Sequence, residues 1–108
     1  MSDKRNTTSY IPMSETAYYI LLSLHLEQGH GYKIMQNVEK LTQSRIRLGA
    51  GTLYGTLGKM ESGGLIVVIA EESKRKIYEI TDFGREVLHL EIIRIRELYE
   101  NSKGVRIS

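Results

Sequence analysis

Three glycines, Gly49, Gly51 and Gly55, crowd the start of a helix-like stretch, and two carboxylates, Glu71 and Glu72, follow a β-branched run downstream. Glycines that let a backbone approach a pyrophosphate, with an acidic residue about 20 positions on for a ribose hydroxyl, are the chemistry of a dinucleotide site. Such a site needs a buried parallel strand ahead of the glycines. Here that place is held by "SRIRL", in which Arg45 and Arg47 alternate with Ile46 and Leu48. It is not a continuous apolar run. Behind the helix, "LIVVIA" (65–70) reads as a strand, "EESKR" as a polar turn and "KIYEI" (76–80) as the returning strand. The pair is an antiparallel hairpin, and too little chain remains for further βα units. The glycines therefore serve a different kind of recognition.

Other reactive constellations are missing. His25, His30 and His89 lack metal-ligand spacing, and no Ser/His/Asp arrangement or paired-acid site stands out. No enzyme activity, metal or cofactor is expected, and His30 reads as an organiser of the connector before the second helix. The chain has no cysteine, which excludes a disulfide framework and fits a reducing, cytoplasmic compartment. No apolar run approaches the length of about 18 residues that spans a membrane. "MSDKRNTTSYIP" lacks the apolar core of a secretory signal. At 108 residues, 41% hydrophobic and 26% charged, the chain suits one domain with a modest core. A net charge of +2 does not by itself mark a nucleic-acid binder, so any basic surface must be local.

Caps and periodicity supply the elements that must hold the glycines. Ser14 is a good N-cap, Glu15 suits the first turn, and Met13 and Tyr18 have the spacing of a hydrophobic staple. Ala17, Leu21 and Leu24 then repeat at helical spacing as far as Gln28-Gly29. A second helix is expected over 32–41, with Ile34, Val38 and Leu41 on one face. A third is expected over 51–62, with Leu53, Leu57 and Met60 inward and Gly63-Gly64 as its stop. Thr81 or Asp82 caps a long last helix that runs to the vicinity of Tyr99. Three helices, a hairpin and a final helix make a mainly α chain with the layout of a winged helix-turn-helix. The second and third helices form the helix-turn-helix, and the hairpin is the wing. The expected division is a loose polar arm over 1–13, the winged domain over 14–81, and a C-terminal dimerisation helix with its tail over 82–108.

On the third helix the outward face carries Thr52, Gly55, Thr56, Gly58 and Lys59, with Tyr54 at its border. A mid-helix glycine costs about 1 kcal/mol relative to alanine, so two within a turn need a reason. A slim face suits a helix that lies deep in a DNA groove; close packing against another protein element is the alternative. Lys74, Arg75 and Lys76 follow one another at the wing tip, where cations grip phosphates, and Glu71 and Glu72 partly neutralise them. Lys33, on the second helix, joins the candidate DNA contacts. Tyr54 either donates to a phosphate oxygen or packs between the third helix and the wing. The partner implied is double-stranded DNA. The rival is a winged-helix adaptor that binds protein without DNA.

On a helical wheel, the last helix carries two apolar stripes. Leu90, Val87, Ile93 and Leu98 cluster around Phe83, whereas Leu88, Ile92, Ile95 and Tyr99 lie about 150° away. One stripe serves the domain's own core. The other, with Leu88, Ile92, Ile95 and Tyr99, is the expected interface of a two-fold homodimer. Tyr18, Tyr19 and Tyr99 are candidates to line an apolar pocket there for a small hydrophobic effector.

The segments "ETAYYILLSL", "HGYKIM", "LGAGTLYGTLGKMESGGLI" and "KRKIYEITDFGREVL" together resemble the PadR family of bacterial transcriptional regulators. Most specific are His30-Gly31-Tyr32, Gly51-Thr52-Leu53-Tyr54 and the run from Tyr78 through Ile80 and Thr81 to Gly84. The resemblance implies a homodimeric winged-helix repressor of the short type, with one C-terminal dimerisation helix. It also implies a palindromic operator and, in some members, release by phenolic acids or hydrophobic drugs. Position by position it implies that Thr52, Tyr54 and Lys59 belong to the recognition helix and Lys74 to Lys76 to the wing.

Overall fold

The computed structural model describes residues 7–106. The first part of the expected arm and the last two residues of the tail lie outside the described residues. The chain folds as a short 3-10 turn (Thr7–Tyr10), then α1 (Glu15–Leu26), α2 (Gly31–Leu41), α3 (Ala50–Ser62), β1 (Ile66–Glu72), β2 (Arg75–Ile80) and α4 (Asp82–Ser102). The fold is mainly helical with one antiparallel hairpin. No helix among the described residues is long and apolar enough to cross a membrane.

α1, α2 and α4 start where a side-chain cap dictates, whereas α3 starts at Gly49 with no side-chain cap bond. The Ser14 hydroxyl accepts from the Ala17 N–H at 3.1 Å, and the Thr81 hydroxyl accepts from the Gly84 N–H at 2.9 Å. His30 caps α2 through Nδ1, which accepts from the Lys33 N–H at 3.2 Å, so α2 begins one residue earlier than expected. Ile20, Leu21, Leu24, Ile34, Val38, Leu53, Leu57, Met60, Phe83 and Val87 fuse the four helices into one core, closed by Leu65, Ile66 and Ile80. The connection between α2 and α3 turns through Gln43 and Ser44, both in the left-handed region (φ 52 and 66). Thr42 secures that turn: its hydroxyl donates to the Val38 carbonyl at 2.8 Å and accepts from the Ile46 N–H at 3.0 Å.

The hairpin extends further than its composition suggests. Glu71, Glu72 and Arg75 belong to strands rather than to a turn, and only Ser73 and Lys74 stand at the tip. Both have positive φ (51 and 66), the geometry of a two-residue type I′ turn whose twist matches that of the strands. Glu71 stands opposite Lys76 and Glu72 opposite Arg75 across the ladder, so two of the three wing cations have a carboxylate as cross-strand neighbour. "SRIRL" forms no strand ahead of α3, and the sheet has only the two antiparallel strands among the described residues. The dinucleotide reading fails on that topology.

The motif from Tyr78 to Gly84 has a steric reason. The Thr81 hydroxyl donates to the Gly64 carbonyl at 2.6 Å, and the Thr81 N–H donates to the Leu65 carbonyl at 2.9 Å. The turn that leaves α3 is thereby tied to the base of α4. A Cβ at position 84 would lie 2.1 Å from the Leu65 carbonyl oxygen, so only glycine lets the two backbones meet.

Two expectations about the ends of the chain are corrected. The stretch over 7–13 is docked rather than loose: the Tyr10 ring meets Phe83 edge-on at 5.7 Å, and the Met13 N–H donates to Glu91 at 2.7 Å. Nor does α4 divide into two stripes along its whole length. Val87 and Leu88, on opposite stripes of the wheel, are both buried in the protomer's own core, Leu88 at 2% exposure. Leu88 is therefore not an outward dimer residue, and Ile92 is half-buried against the same core. Beyond them the helix leaves the domain with Ile93, Ile95, Leu98 and Tyr99 exposed. The core and the docked N-terminal segment wrap the first half of α4 on a wide arc, which a wheel does not show.

Candidate nucleic-acid interface

The α1–α2 connector and the wing are joined by a backbone bridge. The Gly29 N–H donates to the Tyr78 carbonyl at 3.1 Å, and the Tyr78 N–H donates back to the Gly29 carbonyl at 2.9 Å. This bridge sets the start of α2 beside the hairpin. Between them opens a cleft of about 500 Å³, lined by His30, Gly31, Tyr32, Tyr54, Lys74, Arg75, Lys76 and Tyr78. Residues from the connector, the recognition helix and the wing, far apart in sequence, thus share one concavity.

Gly31 determines where Tyr54 lies. A Cβ on Gly31 would sit 2.4 Å from the Tyr54 hydroxyl, so the phenol rests directly over the glycine. Tyr54 is nonetheless 52% exposed, with its polar end at the cleft. It packs over the start of α2 and leaves part of its ring and hydroxyl at the cleft. Burial pushes the Tyr78 hydroxyl above its usual range in the same cleft. His30 stacks on Tyr32 with centroids 6.5 Å apart, and because its Nδ1 accepts from Lys33, the proton of the neutral ring lies on Nε2.

Outside the cleft, the outer face of α3 is open. Thr52, Gly55, Gly58 and Lys59 are exposed, and a Cβ added at Gly51, Gly55 or Gly58 would meet nothing within 4 Å. Among the described residues no element packs against those glycines, so close packing within them does not explain the glycines. Thr56 and Lys59 line a separate depression shared with Tyr10, Met13 and Ala17, on the other flank of α3 from the cleft. Lys33 stays out of both: its ammonium lies 3.6 Å from Glu27.

Of the expected aromatic pocket, Tyr18 and Tyr19 meet edge-on at 5.5 Å and line a depression of about 360 Å³ with Met13, Glu15, Glu91, Arg94 and Ile95. Tyr99 does not join them within the protomer. It is 64% exposed, with the Lys103 ammonium 5.6 Å from its ring centroid. Three residues escaped the sequence reading as site components: Tyr32, Tyr78 and Glu91. The first two enter the cleft through the Gly29–Tyr78 bridge, which no local pattern signals. Glu91 reads as one more surface carboxylate of an amphipathic helix.

A helix-turn-helix followed by a basic hairpin is a DNA-binding architecture. Residues 20–90 match the transcriptional regulator PadR-like family, and the chain belongs to that family, one of regulators rather than enzymes. Over 90 residues, 83% of the chain, it is 28% identical to the transcriptional regulator YqjI of Escherichia coli. The fold superimposes on a PadR-like transcription factor of Bacteroides fragilis with a TM-score of 0.72 and 27% identity, covering 94% of this chain and all of that one. PadR of Bacillus subtilis, solved in complex with operator DNA, matches 76% of this chain and 49% of its own at a TM-score of 0.64 and 27% identity. The chain spans less than half the length of the curated relatives it matches.

Proposed function

We propose that the protein represses transcription by binding a palindromic operator as a homodimer. The observation that carries this reading is the cleft that brings Tyr54 of α3 together with the wing cations Lys74, Arg75 and Lys76, while the bulk-free outer face of the same helix stays open. A slim helix face admits close approach to base edges, and the flanking cations neutralise phosphates. Thr52, Gly55, Thr56 and Lys59 face the bases or sugar edges, and Lys74 to Lys76 face the backbone. The exposed apolar end of α4, with Ile95 and Tyr99, joins a second copy, and a two-fold dimer reads a palindrome. A small hydrophobic or phenolic molecule is the proposed effector, and the Tyr18–Tyr19 depression beside α4 supports such a site. Selection of bound duplexes from a random pool, followed by titration at several salt concentrations, tests the reading. A recovered inverted repeat whose affinity falls steeply with salt is the expected result. Salt-insensitive recovery with no repeat would overturn it and favour a protein-binding adaptor.

A further inference from the structure

Glu91 lies on the third turn of α4, 1% exposed, with every one of its described bonds directed at something specific. Its Oε1 accepts from Arg94 Nε at 2.6 Å, and its Oε2 accepts from Arg94 Nη2 at 2.9 Å and from the Met13 backbone N–H at 2.7 Å. The Arg94 guanidinium holds its carboxyl below the usual range, so it is a buried anion at neutral pH. A buried carboxylate is costly to keep unless fully paired, and apolar replacements of such groups are often no less stable. Simple stability therefore does not account for its presence.

What the bonds join is informative. Met13 directly precedes Ser14, the N-cap of α1. In the first turn of α4, Tyr10 of the same N-terminal segment meets Phe83, and the Tyr10 hydroxyl reaches the Gly63 carbonyl at 3.4 Å. The N-terminal segment is thus fastened to α4 at two places, Phe83 and Glu91, and of these the Glu91 bond lies nearest to where α4 leaves the domain. Beyond Glu91 the helix continues without a break to Ser102, and its exposed apolar residues lie on that projecting part. Eleven further residues extend about 16 Å. A tilt of about 10° at Glu91 would displace the far end by about 3 Å, close to the rise of one base pair.

We infer that Glu91 is a positioning residue that sets the separation of the two recognition helices in the dimer, and hence the half-site spacing the protein accepts. This inference rests on the homodimeric reading proposed above. It acts through Met13 and Arg94, without contact to DNA. A shared buried anion suits the role because it has directional bonds, whereas an apolar contact would let the helix roll or slide.

The absence of native cysteine allows a direct test. A single Ser62→Cys substitution at the exposed end of α3 takes one spin label per protomer, and dipolar spectroscopy reads the distance between them. The parent protein is expected to give one narrow distance. Glu91→Gln, which keeps the shape and removes the charge, is expected to broaden or shift it by several ångströms. It should also relax the preference among operators whose half-sites are moved apart or together by one base pair. An unchanged distance and an unchanged spacing preference, with only a lower melting temperature, would overturn the inference and leave Glu91 a stability element. If Glu91→Gln does not fold, Tyr10→Ala, which frees the other fastening and leaves the Glu91–Arg94 pair intact, decides by the same two readouts. A parent protein with no measurable interspin distance would remove the homodimeric reading itself, and this inference with it.

Discussion

Two helices of this protein present an outer face to solvent, and the two faces are opposites. On α3 the stretch Thr52, Gly55, Gly58 and Lys59 is exposed and carries almost no bulk and one cation, with Tyr54 at its border. On the far half of α4, Ile93, Ile95, Leu98 and Tyr99 are exposed among the charged Arg96, Glu97 and Glu100. Exposure is the same, but the physics is not. Glycines in a helix cost stability, and among the described residues nothing approaches closely enough to use the space they leave. The cost is offset only by something outside the protomer that comes close to the backbone. Apolar side chains held in water cost about 25 cal/mol per Å², and that cost is recovered by contact with another apolar face. The contrast is what the proposed function requires: a polyanion against α3 and a second protein surface against α4.

The largest effects should separate the two halves of α4. Leu88→Asp places a charge in the core and is expected to cost several kcal/mol and unfold the protein, as seen by loss of the circular-dichroism melt. Ile95→Asp combined with Leu98→Asp changes only exposed positions. It should leave a folded monomer in sedimentation and lower operator affinity by about 100-fold through lost avidity. A folded dimer in the double variant would break the comparison.

On α3, stability and affinity should move in opposite directions. Gly58→Leu is expected to raise stability by about 0.5–1 kcal/mol because it removes a helix glycine from open space. The same substitution should weaken operator binding by at least about tenfold, or about 1.4 kcal/mol, if the face lies in a groove. Paired melts and titrations measure both. Weaker binding without gained stability would point to distortion of the helix rather than to a lost approach.

At the wing tip the effect is smaller but has the same form. Lys74 occupies a left-handed position that glycine adopts freely. Lys74→Gly should stabilise the hairpin by a few tenths to about 1 kcal/mol. It should also weaken all duplexes about equally and reduce the magnitude of the log–log salt slope by about one. Smallest of all, Tyr54→Phe should cost about 1 kcal/mol or less of operator affinity per subunit, with little change in melting. A lowered melting temperature with unchanged affinity would confine Tyr54 to its packing role over Gly31.

Much of this was legible in the chain itself, for a physical reason: caps, helical periodicity and glycine stops act within a few residues. Ser14, Thr81 and Gly63-Gly64 bound the helices as their chemistry requires, and the antiparallel hairpin alone excludes a nucleotide fold. The winged layout and the candidate recognition helix follow from the same short-range signals. Tertiary structure decided the rest. A helical wheel gives each α4 residue an angle but says nothing about how far along the axis the core extends, so Leu88 and Tyr99 look alike in sequence and differ in burial. The cleft depends on the Gly29–Tyr78 bridge, a backbone contact that carries no side-chain signature. Glu91 is an ordinary helix carboxylate until Met13 arrives from 78 positions away. Local rules determine which elements form; which of their faces are left for partners depends on contacts between residues that the sequence keeps apart.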